Sequence, residues 1–153
     1  DEMLSAANLA PSWKNSQTPR FYVATGEKSK NAVREALPEF NRKNSENASA
    51  YIVTTVVLNR SGFDKDGTAV TEIGNGWGYY DLGLNNMALL LKATELGIST
   101  LVMGIRDGEK LRKEFDIPET EAVVSVIAVG YTDSEIVRPK RKSVEDFAKF
   151  YED

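Results

Sequence analysis

Hydrophobic positions along this chain come in short runs of two kinds, separated by prolines and glycines. Met3–Ala10 has helical composition and stops at Pro11, whose ring restricts the residue before it and which has no N–H to donate. A polar loop, Ser12–Pro19, follows. Arg20–Thr25 predicts a short strand around Phe21, Tyr22 and Val23. Ser29–Leu37 predicts a short helix with Ser29 as N-cap and Pro38 beyond its end. Ala50–Leu58 (AYIVTTVVL) is rich in β-branched residues and predicts a buried strand.

The middle of the chain changes character. Asn59–Gly78 carries Gly62, Gly67, Gly74, Gly76 and Gly78 with few core residues, the pattern of a lid, a binding loop or a disordered segment. Tyr79–Leu96 then predicts the strongest helix. Leu82, Met87, Ala88, Leu89, Leu90, Leu91, Ala93 and Leu96 leave it little polar face, so burial nearly all round is expected. Gly97 is its natural C-terminal stop. Thr100–Ile105 predicts a second buried strand, Asp107–Phe115 a short helix, and Glu121–Tyr131 (EAVVSVIAVGY) the clearest strand. A basic cluster, Arg138–Lys142, precedes a predicted terminal helix, Ser143–Tyr151, with Ser143 and Asp146 placed for a capping box.

Alternating helices and strands suggest a parallel α/β sheet. The dominant central helix, and a tail that leaves after Gly130, suit that arrangement less well, and periodicity alone does not choose. With no repeat, linker or low-complexity tract, residues 1–153 read as one domain.

Composition narrows the chemistry. Hydrophobic residues are 41% of the chain and charged residues 27%, which supports a packed core. The net charge of −4 lacks the basic footprint that phosphate backbones require, so nucleic acid is not an expected partner. No stretch has the length of a membrane span, so neither is a membrane. The absence of cysteine removes disulfides, thiolate zinc sites and thiol nucleophiles. The absence of histidine removes Ser-His-Asp and Cys-His catalysis and the commonest base near neutral pH. An enzyme built from this inventory takes its reactivity from an organic cofactor. The opening Asp1-Glu2-Met3-Leu4 lacks a signal-peptide pattern and sits inside a predicted helix without an initiating Met, so a preceding piece of chain is expected. A reducing, cytoplasmic setting fits.

Four segments offer chemistry. The loop from Pro11 to Pro19 packs Ser12, Asn15, Ser16 and Gln17 between a helix end and a strand start. Its amides and hydroxyls suit the polar edge of a flat heteroaromatic ligand, or alternatively cap their own backbone. Arg138, Lys140 and Arg141 match phosphate oxygens, or form a solvated turn. Leu101–Gly104 ends a strand on a glycine that admits close approach, or simply ends the strand. Gly74-Asn75-Gly76-Trp77-Gly78 resembles a dinucleotide fingerprint but has Tyr79 where a third glycine belongs, and no strand leads into it. Asp64-Lys65-Asp66-Gly67 starts like a calcium loop and lacks the later ligands. Asp81 and Asn85, one helical turn apart, read as a satisfied buried pair or as part of a site.

Taken together, three segments resemble the nitroreductase family. Ser5-Ala6-Ala7-Asn8-Leu9-Ala10-Pro11-Ser12-Trp13-Lys14-Asn15-Ser16-Gln17-Thr18-Pro19-Arg20-Phe21 is similar to its A-P-S-x-x-N-x-Q-P-W-x-F signature, with Thr18-Pro19-Arg20 in place of the usual Pro-Trp. Leu96-Gly97-Ile98-Ser99-Thr100-Leu101-Val102-Met103-Gly104 resembles its L-G-L-G-[ST]-x-x-[IM]-G segment. Gly130-Tyr131 followed by Arg138-Pro139-Lys140-Arg141-Lys142 resembles its closing run. The resemblance implies an α+β fold, a mostly antiparallel sheet flanked by helices with a long central helix, in an intertwined homodimer that binds FMN at the subunit interface. It implies that Pro11, Ser12, Trp13, Asn15 and Gln17 reach FMN from the partner subunit. It places the backbone of Val102, Met103 and Gly104 against the ring, and Arg141, Lys140 and Arg138 at the phosphate. No side chain acts as catalyst and no metal is required: NAD(P)H gives a hydride to flavin N5, and a nitroaromatic or quinone takes the electrons. Tyr79, Tyr80, Trp77 and Phe63 are candidates to line the pocket, or simply to pack. The family's basic R-x-S-x-R-type opening has no counterpart in these residues. The alternative is a non-catalytic flavin-binding or sensory protein on the same fold, or a cofactor-free dimer.

Overall fold

A computed structural model describes residues 1–135 and 137–152. The elements run α1 (Glu2–Asn8), β1 (Pro19–Ala24), α2 (Glu27–Glu35), α3 (Glu39–Asn44), β2 (Ala50–Val57), α4 (Gly76–Glu95), β3 (Ser99–Met103), α5 (Gly108–Glu114) and β4 (Glu121–Gly130). Single 3₁₀ turns occupy Trp13–Asn15 and Val144–Asp146.

The strands form one four-stranded sheet in the order β1-β2-β4-β3, and all three pairings are antiparallel. The parallel reading suggested by alternation is therefore corrected, and the antiparallel α+β reading holds. The physical reason lies in β2, whose Tyr51 to Val56 are all buried. Continuous apolar runs are usual for parallel strands because helices cover both faces. Here helices cover both faces of an antiparallel sheet. Tyr51, Val53, Val126 and Met103 pack with Val33, Leu37 and Leu111 of the α2–α5 side. Ile52 and Ile127 pack on the other side with Ala7 of α1 and Leu89 of α4. Period-2 alternation thus feeds two cores rather than one core and solvent.

Other expectations need correction. The terminal helix over Ser143–Tyr151 is absent: Ser143 and Asp146 do form the capping box, yet only one 3₁₀ turn follows. Phe147 and Phe150 lie exposed, and a helix this short gains little without a face to bury. The central helix is not buried all round. Leu82, Leu89 and Ala93 are buried, whereas Met87 is 51% and Leu91 58% exposed. Helix α2 starts at Glu27 after Gly26 rather than at Ser29, whose hydroxyl donates to the Gly26 carbonyl at 2.9 Å. Helix α3 had no counterpart in the sequence pattern. Strand β3 ends at Met103, not Ile105.

Gly97 stops α4 as expected. It has φ +70°, and the N–H of Ile98 donates back to the Ala93 carbonyl at 2.8 Å. The glycine-rich stretch is built from turns, with one bridge between Phe63 and Ala69, and its last glycines open α4. Gly62 has φ +84°, and a Cβ there would lie 2.6 Å from the Gly74 carbonyl oxygen, so only glycine fits.

Candidate functional site

The loop between α1 and β1 has unusual backbone. Lys14, Asn15 and Gln17 all have positive φ, of 46°, 55° and 49°. For residues with a Cβ this conformation costs roughly 1–2 kcal/mol each, and such strain persists only where surroundings enforce it. The enforcing group is Asp81 on α4, which is 2% exposed. Both of its carboxylate oxygens accept the main-chain N–H of Trp13 at 3.1 Å. Its Oδ2 also accepts the Ser61 hydroxyl. Ser61 Oγ lies 2.6 Å from Ser16 Oγ and accepts the Thr18 hydroxyl at 3.4 Å. Ser12 Oγ accepts the Gln17 N–H at 3.0 Å and closes the turn.

Aromatic packing holds the same junction. Trp13 and Trp77 stack at 4.7 Å between ring centroids, and Trp77 meets Tyr80 edge-on at 5.7 Å. The Trp77 indole donates to the Thr71 hydroxyl at 2.8 Å, which ties the glycine-rich segment to the start of α4. The residue types support packing for Trp77, while Tyr80 stays 60% exposed. The Asp81–Asn85 pair is satisfied within the fold: Asn85 Nδ2 donates to the Asp81 carbonyl at 3.1 Å. Asp81 nevertheless supports the loop, so neither sequence alternative covers its position alone.

In front of this loop lies a cleft of about 380 Å³. Ser12, Asn15 and Gln17 line it together with Arg20, Arg60 and Asn85. All four polar loop residues singled out by sequence, Ser16 included, therefore converge. Pro11 lies exposed at the loop entry, and Trp13 turns into the aromatic stack. Val102, Met103 and Gly104 do not join them. Val102 and Met103 end β3 and Gly104 follows it, on the opposite edge of the sheet and three strand spacings away, about 14 Å. Strand β3 runs toward the end of the sheet where β1 begins, but Met103 stops level with Val126, Val53 and Tyr22, three residues short of Pro19.

Strand β3 is an edge strand. One side pairs with β4, and no described strand pairs with the other. Val102 is 49% exposed, Met103 is buried in the core and offers only its backbone, and a Cβ built on Gly104 would meet nothing within 4 Å. Asn41 Nδ2 donates to the Ile105 carbonyl at 3.2 Å and fixes the chain just beyond Gly104. A second cleft, of about 410 Å³, opens at the other end of β3, lined by Lys43, Asn44, Thr100 and Tyr131 among others. Sequence reading missed it because half of its wall is α3 and the turn that follows. Arg138, Lys140 and Arg141 are exposed, and among the described residues none makes an ion pair.

Comparison with known proteins places this geometry. A family model described as "Nitroreductase family" matches residues 1–131. A nitroreductase family protein from Streptococcus pneumoniae TIGR4 superposes with a TM-score of 0.81 at 21% identity, over 97% of this chain and 86% of that one. A nitroreductase family protein from Clostridium difficile 630 gives 0.75 at 21% identity, over 97% and 82%. A crystal structure described as an oxidoreductase containing FMN gives 0.71 at 25% identity, over 86% and 65%. No curated protein matches the chain.

Proposed function

The chain belongs to the Nitroreductase family, and on that premise we propose that it is a flavin oxidoreductase that passes electrons from NAD(P)H to a small acceptor such as a nitroaromatic or quinone. Members of the family are FMN-dependent, and FMN is the cofactor. When bound, FMN supplies the hydride and electron chemistry that a chain without His or Cys lacks.

The residues present suit that group. The open Gly104 edge and the exposed Val102 offer a flat apolar seat with free backbone beside it. Ser12, Asn15 and Gln17 offer hydrogen bonds to a polar ring edge or sugar chain. Arg138, Lys140 and Arg141 are cations without acidic partners among the described residues and suit a phosphate; they lie beyond the matched span. Pro11 and Trp13 set the path of the loop, and Met103 contributes backbone alone. The task of the chain is to bind, orient and shield; no side chain is assigned a proton.

We take residues 1–153 as one domain that works as a homodimer. The loop and the β3 strand lie at opposite edges of the sheet, so a partner subunit's loop closes the site. Exposed Met87 and Leu91 on α4 give that partner an apolar surface. Among the described residues no helix is long and apolar enough to cross a membrane, and we assign the protein to the cytoplasm.

The observation that carries the reading is the loop Ser12–Gln17, with three residues in left-handed backbone and its Trp13 N–H held by a buried carboxylate, at the mouth of a polar cleft. The test is a visible spectrum of the purified protein with added FMN, before and after anaerobic NAD(P)H. Bound flavin that bleaches is expected. Bound flavin that stays oxidised indicates a flavin-binding module instead, and failure to bind FMN overturns the reading.

A further inference from the structure

We infer that Arg20 and Arg60 form an anion-reading subsite in the loop cleft, which selects an electron acceptor bearing a carboxylate. The inference rests on the flavin reading above and names the substrate class of that site.

The chain has 23 acidic residues, yet none of those described lines this cleft. Two guanidinium groups do. Neither Arg20 nor Arg60 makes an ion pair among the described residues. Arg20 is held in place: its Nη1 donates to the carbonyls of Gln17 at 2.7 Å and Pro19 at 2.8 Å. Its Nη2 and Nε make no hydrogen bond within the described structure, so one edge of the fork stays free. A guanidinium fixed by its own backbone loses little rotamer freedom when it captures a carboxylate, and the planar fork matches two carboxylate oxygens. Arg60 stands exposed just after β2 and brings a second positive charge to the rim. The remaining lining is neutral. Asn8, Asn15 and Asn85 supply amides, while Leu4 and Phe21 supply an apolar wall for the body of a small unsaturated acid. On the flavin reading, the dianionic phosphate of the cofactor takes Arg138, Lys140 and Arg141 instead.

The experiment compares 4-nitrobenzoate with methyl 4-nitrobenzoate, which differ in the charge. Calorimetry on the FMN-treated protein gives the two dissociation constants, and steady-state kinetics give KM and kcat for each. In both reactions NAD(P)H gives up a hydride, a proton comes from solvent, and the nitro group becomes nitroso with loss of water. The wild type is expected to bind the acid more tightly than the ester. Arg60→Gln and Arg20→Gln should each lower the acid-to-ester affinity ratio about tenfold, the cost of one charge-assisted hydrogen bond, and Arg60→Lys should recover part of it. The Arg60 side chain makes no hydrogen bond or ion pair among the described residues, so its variants report even if Arg20→Gln misfolds. A ratio that stays constant across the variants overturns the subsite. So does a loss that falls instead on FMN against riboflavin, or on NADPH against NADH, since either assigns the cations to a phosphate. The calorimetric ratio is read whether or not NAD(P)H bleaches the protein, so failure of the subsite and failure of the flavin reading are told apart.

Discussion

Asp81 and Trp13 are 68 residues apart in sequence, yet both carboxylate oxygens of Asp81 accept the Trp13 main-chain N–H at 3.1 Å. This contact joins the central helix to the loop that carries Ser12, Asn15 and Gln17. It opposes the strain of three left-handed residues by satisfying a main-chain donor at the start of the turn.

Asp81→Ala should therefore do two things. It leaves the Trp13 N–H and the Ser61 hydroxyl without their acceptor, which costs about 1–3 kcal/mol for a buried group, and more where a charge is lost. Urea denaturation should show a loss in that range. The freed loop should also weaken FMN binding beyond the fall in stability. Asp81→Asn, which keeps one acceptor oxygen, should recover part of both. An unchanged FMN dissociation constant in a destabilised Asp81→Ala would show that the contact serves stability alone.

Tyr22 gives a prediction in alkaline solution. Burial, then its hydrogen bond to Glu121 at 2.9 Å, push its phenol up to about 12 from its ordinary value near 10. Glu121 also accepts the Thr55 hydroxyl, beside the register shift between Thr54 and Thr55. Because the folded value lies above the unfolded one, the contribution is complete below about pH 10 and is lost as pH rises towards 12. Thermal melts from pH 9 to 12 should fall more steeply for wild type than for Tyr22→Phe. Parallel curves would remove Tyr22 from the account.

We propose that Arg141 holds the cofactor phosphate. Arg141→Ala should weaken FMN binding about tenfold or more, the range for a charge-assisted hydrogen bond, while riboflavin, which has no phosphate, should bind variant and wild type alike. Titration by flavin fluorescence checks both. Equal loss for the two ligands would place Arg141 elsewhere.

The exposed apolar face of α4 should be a subunit interface. Leu91 is 58% and Met87 51% exposed. Leu91→Arg should shift light scattering from the mass of two chains to that of one, near 16.9 kDa. FMN affinity should fall with it, because the loop and the β3 edge of one chain do not meet.

Most of the strands, the long helix and the missing chemistries are legible in the residues alone; α3 and the fate of the tail are not. Phe21–Val23, Ala50–Leu58 and Glu121–Tyr131 carry β-branched and aromatic runs that suit a pleated, buried surface. Missing His and Cys excluded most side-chain catalysis before any fold was known. The motif loop at Pro11–Gln17 was legible because its polar residues are local. The remainder follows only from contacts made in the folded chain, for reasons of distance. A strand buried on both faces reads the same whether its neighbours are parallel or antiparallel, so only the pairing of Tyr22 with Val53, and of Val53 with Val126, fixed the sheet. Composition told that α4 is apolar but not which side a core would cover. Nothing within Ser143–Tyr151 could reveal that no face awaits Phe147. The bond from Asp81 to Trp13, and the meeting of Arg20 with Arg60 in one cleft, join residues that lie far apart along the chain. Local pattern carries no record of such contacts; they exist only once the sheet and α4 have brought those segments together.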